Sequence, residues 1–149
     1  MLKKYRIGFD IWGMILFVLI MIPNIIWTVK PAPNDILRGE SATETIDVIG
    51  SVFQVIFVAA MCIFIDKNSG KVRFSPLIAG VILCAVLYFL GWVLYYSGNV
   101  SALTIILLIL PPCLAFIFYL LDRKNMIALI PAVIFTCCHL VYGGVNFIL

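Results

Sequence analysis

The chain has 149 residues, of which 64% are hydrophobic and 11% are charged, and its mean hydropathy is +1.19. This composition excludes a soluble globular domain, in which about a quarter of the residues are charged. The formal net charge is +3, and its distribution along the chain indicates topology rather than a polyanionic partner.

Five apolar runs are separated by four short polar breaks. A bilayer core about 30 Å thick needs roughly 20 apolar residues in a helix, and each run has about that length. The runs lack the alternation of barrel strands, and an open sheet edge is not tolerated in lipid, so we expect no strands. We predict an all-α, polytopic integral membrane protein, with residues 1–149 forming a single domain. The predicted spans are residues 7–27, 42–65, 76–96, 101–121 and 126–147, with an outer loop at residues 28–41.

The polar breaks also carry residues that begin helices. Ser41 and Glu44 have the spacing of a capping box. Ser75 precedes Pro76, which suits the first position of a helix, and Asn125 stands where the last helix is expected to begin.

The orientation follows from the basic residues, which are retained on the cytoplasmic side of a membrane. With the N-terminus inside, eight of the ten Lys and Arg residues are cytoplasmic, and only Lys30 and Arg38 are outside. We therefore predict an N-in/C-out chain in a cell membrane, with the bacterial inner membrane as the expected location. The lipid bilayer is the expected partner, and no nucleic acid is expected. The eight cytoplasmic residues are Lys3, Lys4, Arg6, Lys67, Lys71, Arg73, Arg123 and Lys124.

The outer loop has the composition of an ordered segment. Its first part, from Lys30 to Asp35, contains two prolines and is expected to be extended, whereas Ile36 to Arg38 is expected to form one helical turn that ends at Gly39. A lid or docking surface and a compact connector are equally consistent with this pattern.

Polar residues recur at helical spacing in three of the spans and lie at one depth, near the outer face. Polar groups within a span are costly unless they face water or a protein interior. Aromatic residues at the same level belong to span three. We therefore predict a polar and aromatic cavity that opens outward. Its candidate ligand-binding residues are Asn24, Asp47, Gln54, Trp92, Tyr95, His139 and Tyr142.

The same residues have a second interpretation, in which they hold helices together. Interhelical hydrogen bonds contribute about 0.6 kcal/mol per pair, and Trp and Tyr gather at membrane interfaces without binding a ligand. The first hypothesis is thus a protein that binds or transports a small apolar or amphipathic ligand. The second is a non-catalytic assembly or regulatory subunit of a larger membrane complex. A homodimer is a further alternative, because Gly80 and Cys84 have the spacing of a small-residue contact between helices.

Enzymatic chemistry finds little support in the chain. The only conceivable acid and base pair is Asp47 with His139, and no catalytic motif is present, so we do not expect an enzyme. His139 is the sole histidine, and the five cysteines show no C-x-x-C spacing. We therefore predict no metal site and assign no cofactor.

The adjacent Pro111 and Pro112 in the middle of span four predict a break in that helix. Two prolines remove two amide donors and free the carbonyls of Leu107 and Leu108. Broken helices often line substrate sites in transporters, although a kink that only shapes packing is the commoner case.

The layout resembles that of the tryptophan-rich sensory and translocator protein family. The shared features are five short spans, a longer loop after span one, and Trp27 followed by Lys30 and Pro31. This resemblance implies a five-helix bundle that binds tetrapyrroles or sterol-like ligands. The family's tryptophan-rich second span has no counterpart here, where Phe53 and Gln54 stand, so no binding residue is carried over.

Overall fold

The computed structural model describes residues 2–149, so Met1 of the predicted domain lies outside the described residues. Five helices within this range are long and apolar enough to cross a membrane, and the chain is accordingly a multi-pass membrane protein. The prediction of a five-helix, all-helical architecture is confirmed. The helices are α1 (Ile11–Val29), α2 (Glu44–Ile63), α3 (Pro76–Tyr96), α4 (Ala102–Asp122) and α5 (Met126–Phe147).

A two-stranded antiparallel ribbon joins the start of the chain to the end of α2. Strand β1 (Tyr5–Ile7) pairs with β2 (Phe64–Asp66), and Tyr5 lies opposite Asp66. Neither strand spans the membrane, so the expectation that the spans are helices holds; α2 ends two residues before Ile65, and α1 begins four residues after Ile7. The reason is Asp10, whose carboxylate accepts the amide protons of Trp12 and Gly13 and so begins α1 at Ile11.

Two of the three predicted helix starts are confirmed. The Ser75 hydroxyl accepts the amide proton of Ile78, and the Asn125 side chain accepts that of Ala128. The capping box at Ser41 was wrong, because α2 begins after Thr43. The Ser41 hydroxyl instead accepts the Thr43 amide proton at 3.1 Å.

The central element is α4. In its most apolar 18-residue stretch 61% of the residues are buried, against 22–33% in the other helices. It packs between α3 and α5, and glycines allow both contacts to be close. A Cβ atom on Gly91 would lie 2.9 Å from Cβ of Leu107, and one on Gly143 would meet Ile109. Helix α2 lies along α5, whereas α1 is the most peripheral helix.

The double proline does not interrupt α4. The helix runs continuously from Ala102 to Asp122, and both Pro111 and Pro112 are buried within it. Of the two outcomes expected at the double proline, a kink or an opening of the helix, the continuous helix excludes the opening. Prolines are tolerated in apolar helices where neighbouring helices pack around them, and α4 is covered on two sides.

Polar side chains tie the helices together at the end of the bundle that carries the β ribbon, here called the ribbon end. The Tyr119 hydroxyl lies 2.8 Å from both carboxylate oxygens of Asp10. Asn125 donates to the carbonyl oxygens of Ala60 and Phe64, at 3.3 and 2.8 Å. These bonds join α1, α2, α4 and α5, so the ribbon end is fixed. The opposite end, which carries the loop between α1 and α2, is called the loop end.

Candidate functional site

A cavity of about 490 Å³ occupies the half of the bundle nearest the loop end. Helices α1 and α3 form one side, α2 and α5 form the other, and α4 lies between them. All five helices therefore contribute to one site. The polar and titratable residues that line it are Asn24, Asp47, Ser51, Gln54, Tyr88, Cys113, Cys138, His139 and Tyr142.

Five of the seven candidate ligand-binding residues line this cavity, and two lie elsewhere. Trp92 is 6% exposed and packs among aromatic rings, with Trp27, Tyr95 and Tyr96 within 6.5 Å of its ring centroid. Tyr95 is fully buried, and its hydroxyl bonds to the loop between α1 and α2. The cavity assignment of Trp92 and Tyr95 is therefore corrected, because both lie nearer the loop end than Tyr88 and are covered there by Trp27 and the loop.

Two polar residues of the cavity are bonded to other parts of the protein. The Asn24 side chain donates to the Tyr88 hydroxyl at 2.7 Å and to the Ile20 carbonyl oxygen at 3.2 Å. The Asp47 carboxylate accepts hydrogen bonds from the hydroxyls of Ser41 and Thr43. For Asn24 and Asp47 the structure therefore fits the interpretation in which polar residues hold the helices and the loop together.

Gln54 and His139 differ from these residues. Within residues 2–149, neither side chain has a hydrogen-bond partner, and both face the cavity. The His139 ring is stacked between Phe135 and Tyr142, with centroid distances of 5.2 and 6.2 Å, so its orientation is fixed by packing alone. Because an unpartnered amide or imidazole is costly in an apolar environment, both groups require water or a ligand in the cavity.

Aromatic rings close the cavity toward the ribbon end. Phe116 and Phe135 line its deepest part. Behind them the ring of Phe57, which is fully buried, packs at 5.1 Å from Phe116 and 5.3 Å from Phe135. The three rings separate the cavity from the polar contacts at the ribbon end.

The loop between α1 and α2 is fixed to α1 and α3 by one carboxylate. Asp35 accepts hydrogen bonds from the Trp27 indole at 2.9 Å, the Tyr95 hydroxyl at 2.8 Å and the Arg38 guanidinium at 2.9 Å. Arg38 also lies 4.9 Å from the Trp27 ring centroid and donates to the Trp27 carbonyl oxygen. Since Trp27 lines the cavity, the loop is connected directly to its wall.

The other end of the loop is fixed to α5. Asn146 donates to the Thr43 hydroxyl at 2.8 Å, and its side-chain oxygen accepts the Ala42 amide proton at 2.7 Å. The one helical turn predicted in the loop is present at Ile36–Arg38 and ends at Gly39. The loop is therefore an ordered bridge between the two sides of the cavity, with Trp27 beneath one end and Asp47 beneath the other.

The Asp35 carboxyl is 11% exposed, and its burial opposes ionisation. The hydrogen bonds from Trp27, Tyr95 and Arg38 act in the opposite sense and hold the pKa of Asp35 below its usual value of 3.8. The folded loop therefore stabilises the ionised form of Asp35.

The arrangement offers no metal site among the described residues, where no group of three His, Cys, Asp or Glu side chains converges. Asp47 and His139 line the same cavity, but no hydrogen bond joins them. The Asp47 oxygens are instead occupied by the hydroxyls of Ser41 and Thr43.

Sequence reasoning missed several cavity residues, of which Tyr88, Phe135 and Cys138 matter most. Tyr88 lies one turn before Trp92 and two turns before Tyr95 on the same side of α3, and this spacing was a usable signal. Cys138 adjoins His139 in the sequence, and this proximity to a polar residue was its only signal.

No family model, curated protein or solved structure matches the chain.

Asp35→Asn tests the attachment of the loop. At neutral pH the variant is expected to be less stable than the wild type by about 1–3 kcal/mol, because hydrogen bonds to a charged acceptor are lost. A depressed pKa gives stability that is complete above the unfolded value of about 3.9 and is lost as pH falls through the folded value. The difference in melting temperature between the wild type and Asp35→Asn, measured in detergent, should therefore shrink below about pH 4.

Glu40→Gln, in the same loop at an exposed position, is the control. Equal melting temperatures of wild type and Asp35→Asn at pH 7 would contradict the assignment.

Replacing cavity residues by leucine separates the two interpretations of the polar stripes. Gln54→Leu and His139→Leu are expected to leave the melting temperature unchanged or to raise it, because neither side chain has a hydrogen-bond partner in the protein to lose and leucine keeps an apolar contact with the neighbouring rings. Asn24→Leu breaks the bond to Tyr88 and should lower stability by about 0.6 kcal/mol. Thermal unfolding of the three variants in one detergent is the measurement. Destabilisation of Gln54→Leu and His139→Leu as large as that of Asn24→Leu would show that they serve packing.

Proposed function

We propose that the chain is a cell-membrane protein, located in the bacterial inner membrane, that binds or transports a small ligand through an outward-facing cavity. The observation that carries the proposal is the pair Gln54 and His139. Both are polar side chains without a partner among the described residues, and both face one cavity of about 490 Å³. Other polar groups around them, such as Asn24, are bonded.

The orientation N-in/C-out is supported by the distribution of charge over the two ends of the bundle. Eight Lys and Arg residues belong to the segments at the ribbon end, whereas the loop between α1 and α2 carries only Lys30 and Arg38. The positive-inside rule places the ribbon end in the cytoplasm. The cavity then lies in the outer half of the membrane.

The chemistry of the walls favours an amphipathic ligand. Ile20, Met21 and Leu108 supply apolar surface, while Gln54 and His139 supply a few hydrogen-bonding groups. A cavity of about 490 Å³ is within the range of about 300–1,000 Å³ that small-molecule sites occupy. The ligand therefore has an apolar body and at least one group that accepts or donates a hydrogen bond.

The gap between α1 and α2 is the proposed entrance. The two helices come together near the ribbon end, where a Cβ atom on Gly13 would lie 3.1 Å from Met61. Farther along, Met21 and Ser51 line the cavity from opposite sides. Helix α1 is the least buried of the five, so it is the element that can move most easily.

The second candidate is a non-catalytic assembly or regulatory subunit. The peripheral position of α1 favours it, because Ile15, Ile22 and Ile26 of this helix are exposed at 48%, 41% and 50%. A membrane-protein partner or a second copy would cover this face in place of lipid.

Thiol labelling tests the outward-facing cavity without knowledge of its ligand. Cys138 lines the cavity, whereas the adjacent Cys137 is exposed on the outside of the bundle. A small, charged, membrane-impermeant thiosulfonate added outside intact cells should modify Cys138, because thiolates form only where water reaches them. Mass spectrometry should find this label retained in Cys137→Ala and lost in Cys138→Ala. Labelling that is lost in Cys137→Ala, or that occurs only in inverted vesicles, would overturn the proposed cavity or its orientation respectively.

A further inference from the structure

A second concave site lies at the ribbon end, opposite the cavity. It is a groove of about 630 Å³ between the β1–α1 connection and the segment that follows β2. The cationic residues Arg6, Lys71 and Arg123 line it together with a single carboxylate, Asp10. Three cations against one carboxylate leave two positive charges uncompensated.

The carboxylate of Asp10 is already engaged by other groups. One of its oxygens accepts the amide protons of Trp12 and Gly13, and both accept the Tyr119 hydroxyl proton. Its ion pair with Arg123 is long, at 3.8 Å. Asp10 therefore does not neutralise the cations on the other side of the groove.

The cations themselves are poorly partnered. Within the described residues, Arg6 and Lys71 form no ion pair, and both are exposed. Arg123 is 12% exposed and donates to the Ser69 hydroxyl at 3.2 Å, but its Nε atom is buried without a hydrogen-bond partner. The charge of the guanidinium is offset only by the long ion pair with Asp10, so an anion in the groove would be attracted to it.

Apolar side chains line the same groove. Phe9, Ile11 and Trp12 are exposed at 60%, 51% and 55%, at the point where α1 begins. A free phosphate ion gains nothing from such a surface. A phospholipid does, since its headgroup can meet the cations while its acyl chains lie along the start of α1.

We propose that this groove binds the headgroup phosphate of an anionic phospholipid. The guanidinium groups of Arg6 and Arg123 and the ammonium group of Lys71 contact the phosphate oxygens, and Trp12 and Phe9 contact the glycerol and the first acyl carbons. The site is separate from the cavity at the loop end. It depends neither on the ligand of that cavity nor on the orientation of the chain.

The test compares two double variants with the same change of charge. Arg6→Gln with Lys71→Gln removes one Arg and one Lys from the groove, whereas Lys3→Gln with Arg73→Gln removes one of each nearby but outside it. The purified chain in neutral detergent is titrated with phosphatidylglycerol, phosphatidylcholine or inorganic phosphate, and the melting temperature is recorded. Circular dichroism of each variant verifies that it is folded.

Phosphatidylglycerol should raise the melting temperature of the wild type more than phosphatidylcholine or phosphate does. The groove variant should bind phosphatidylglycerol roughly 10- to 30-fold more weakly, and the control variant should bind as the wild type does. Equal losses in the two variants would show a diffuse charge effect, and stabilisation by phosphate alone would show a free-anion site; either result overturns the proposal.

If the groove variant does not fold, a second measurement on the wild type tests the proposal. Native mass spectrometry of the wild type from an equimolar mixture of phosphatidylglycerol and phosphatidylcholine should retain the anionic lipid preferentially. Retention of both lipids in equal amounts would also overturn the proposal.

Discussion

The cost of an unpartnered polar group in an apolar environment governs this structure. At the ribbon end direct bonds reduce that cost, of which the Asp10 contact with Tyr119 and the Asn125 contacts with α2 are the main ones, although Arg123 Nε stays without a hydrogen bond. In the other half of the bundle, Asn24 finds Tyr88. Gln54 and His139 find no partner among the described residues, and the bundle leaves a volume in front of them instead of closing.

The two ends of the bundle have different mechanical roles as a result. Hydrogen bonds and the β ribbon hold α1, α2 and α5 together at the ribbon end, and the rings around Phe57 close the space above them. Toward the loop end α1 and α2 lie on opposite sides of the cavity, and the loop restores their connection through Asp35 and Asn146. The hydrogen-bonded ribbon end and the loop that connects the two sides of the cavity together maintain a cavity in this five-helix bundle.

How far the sequence predicts this arrangement depends on the range of each interaction. The five helices follow from local hydropathy, and the caps at Ser75 and Asn125 follow from local hydrogen bonding, so both were predictable. The β ribbon pairs Tyr5 with Asp66, which are distant in sequence, and no local sequence pattern predicts this pairing. Trp92 was assigned to the cavity by its depth alone, and no local pattern predicted that Trp27 of another helix would cover it. The stripe at Gln54 was found because its polarity repeats at helical spacing on one helix.

We infer that the loop-end half of the bundle contains a solvated cavity bordered by one face of α2. Electron paramagnetic resonance of spin labels on that helix tests it most directly, with Ser51→Cys on the cavity face and Val52→Cys on the exposed apolar face, where Val52 is 52% exposed. We predict that a polar nickel chelate relaxes the label at position 51 and that only oxygen relaxes the label at position 52. Relaxation of both labels by oxygen alone would contradict the account, because a dry, closed interface would then stand where the cavity is assigned.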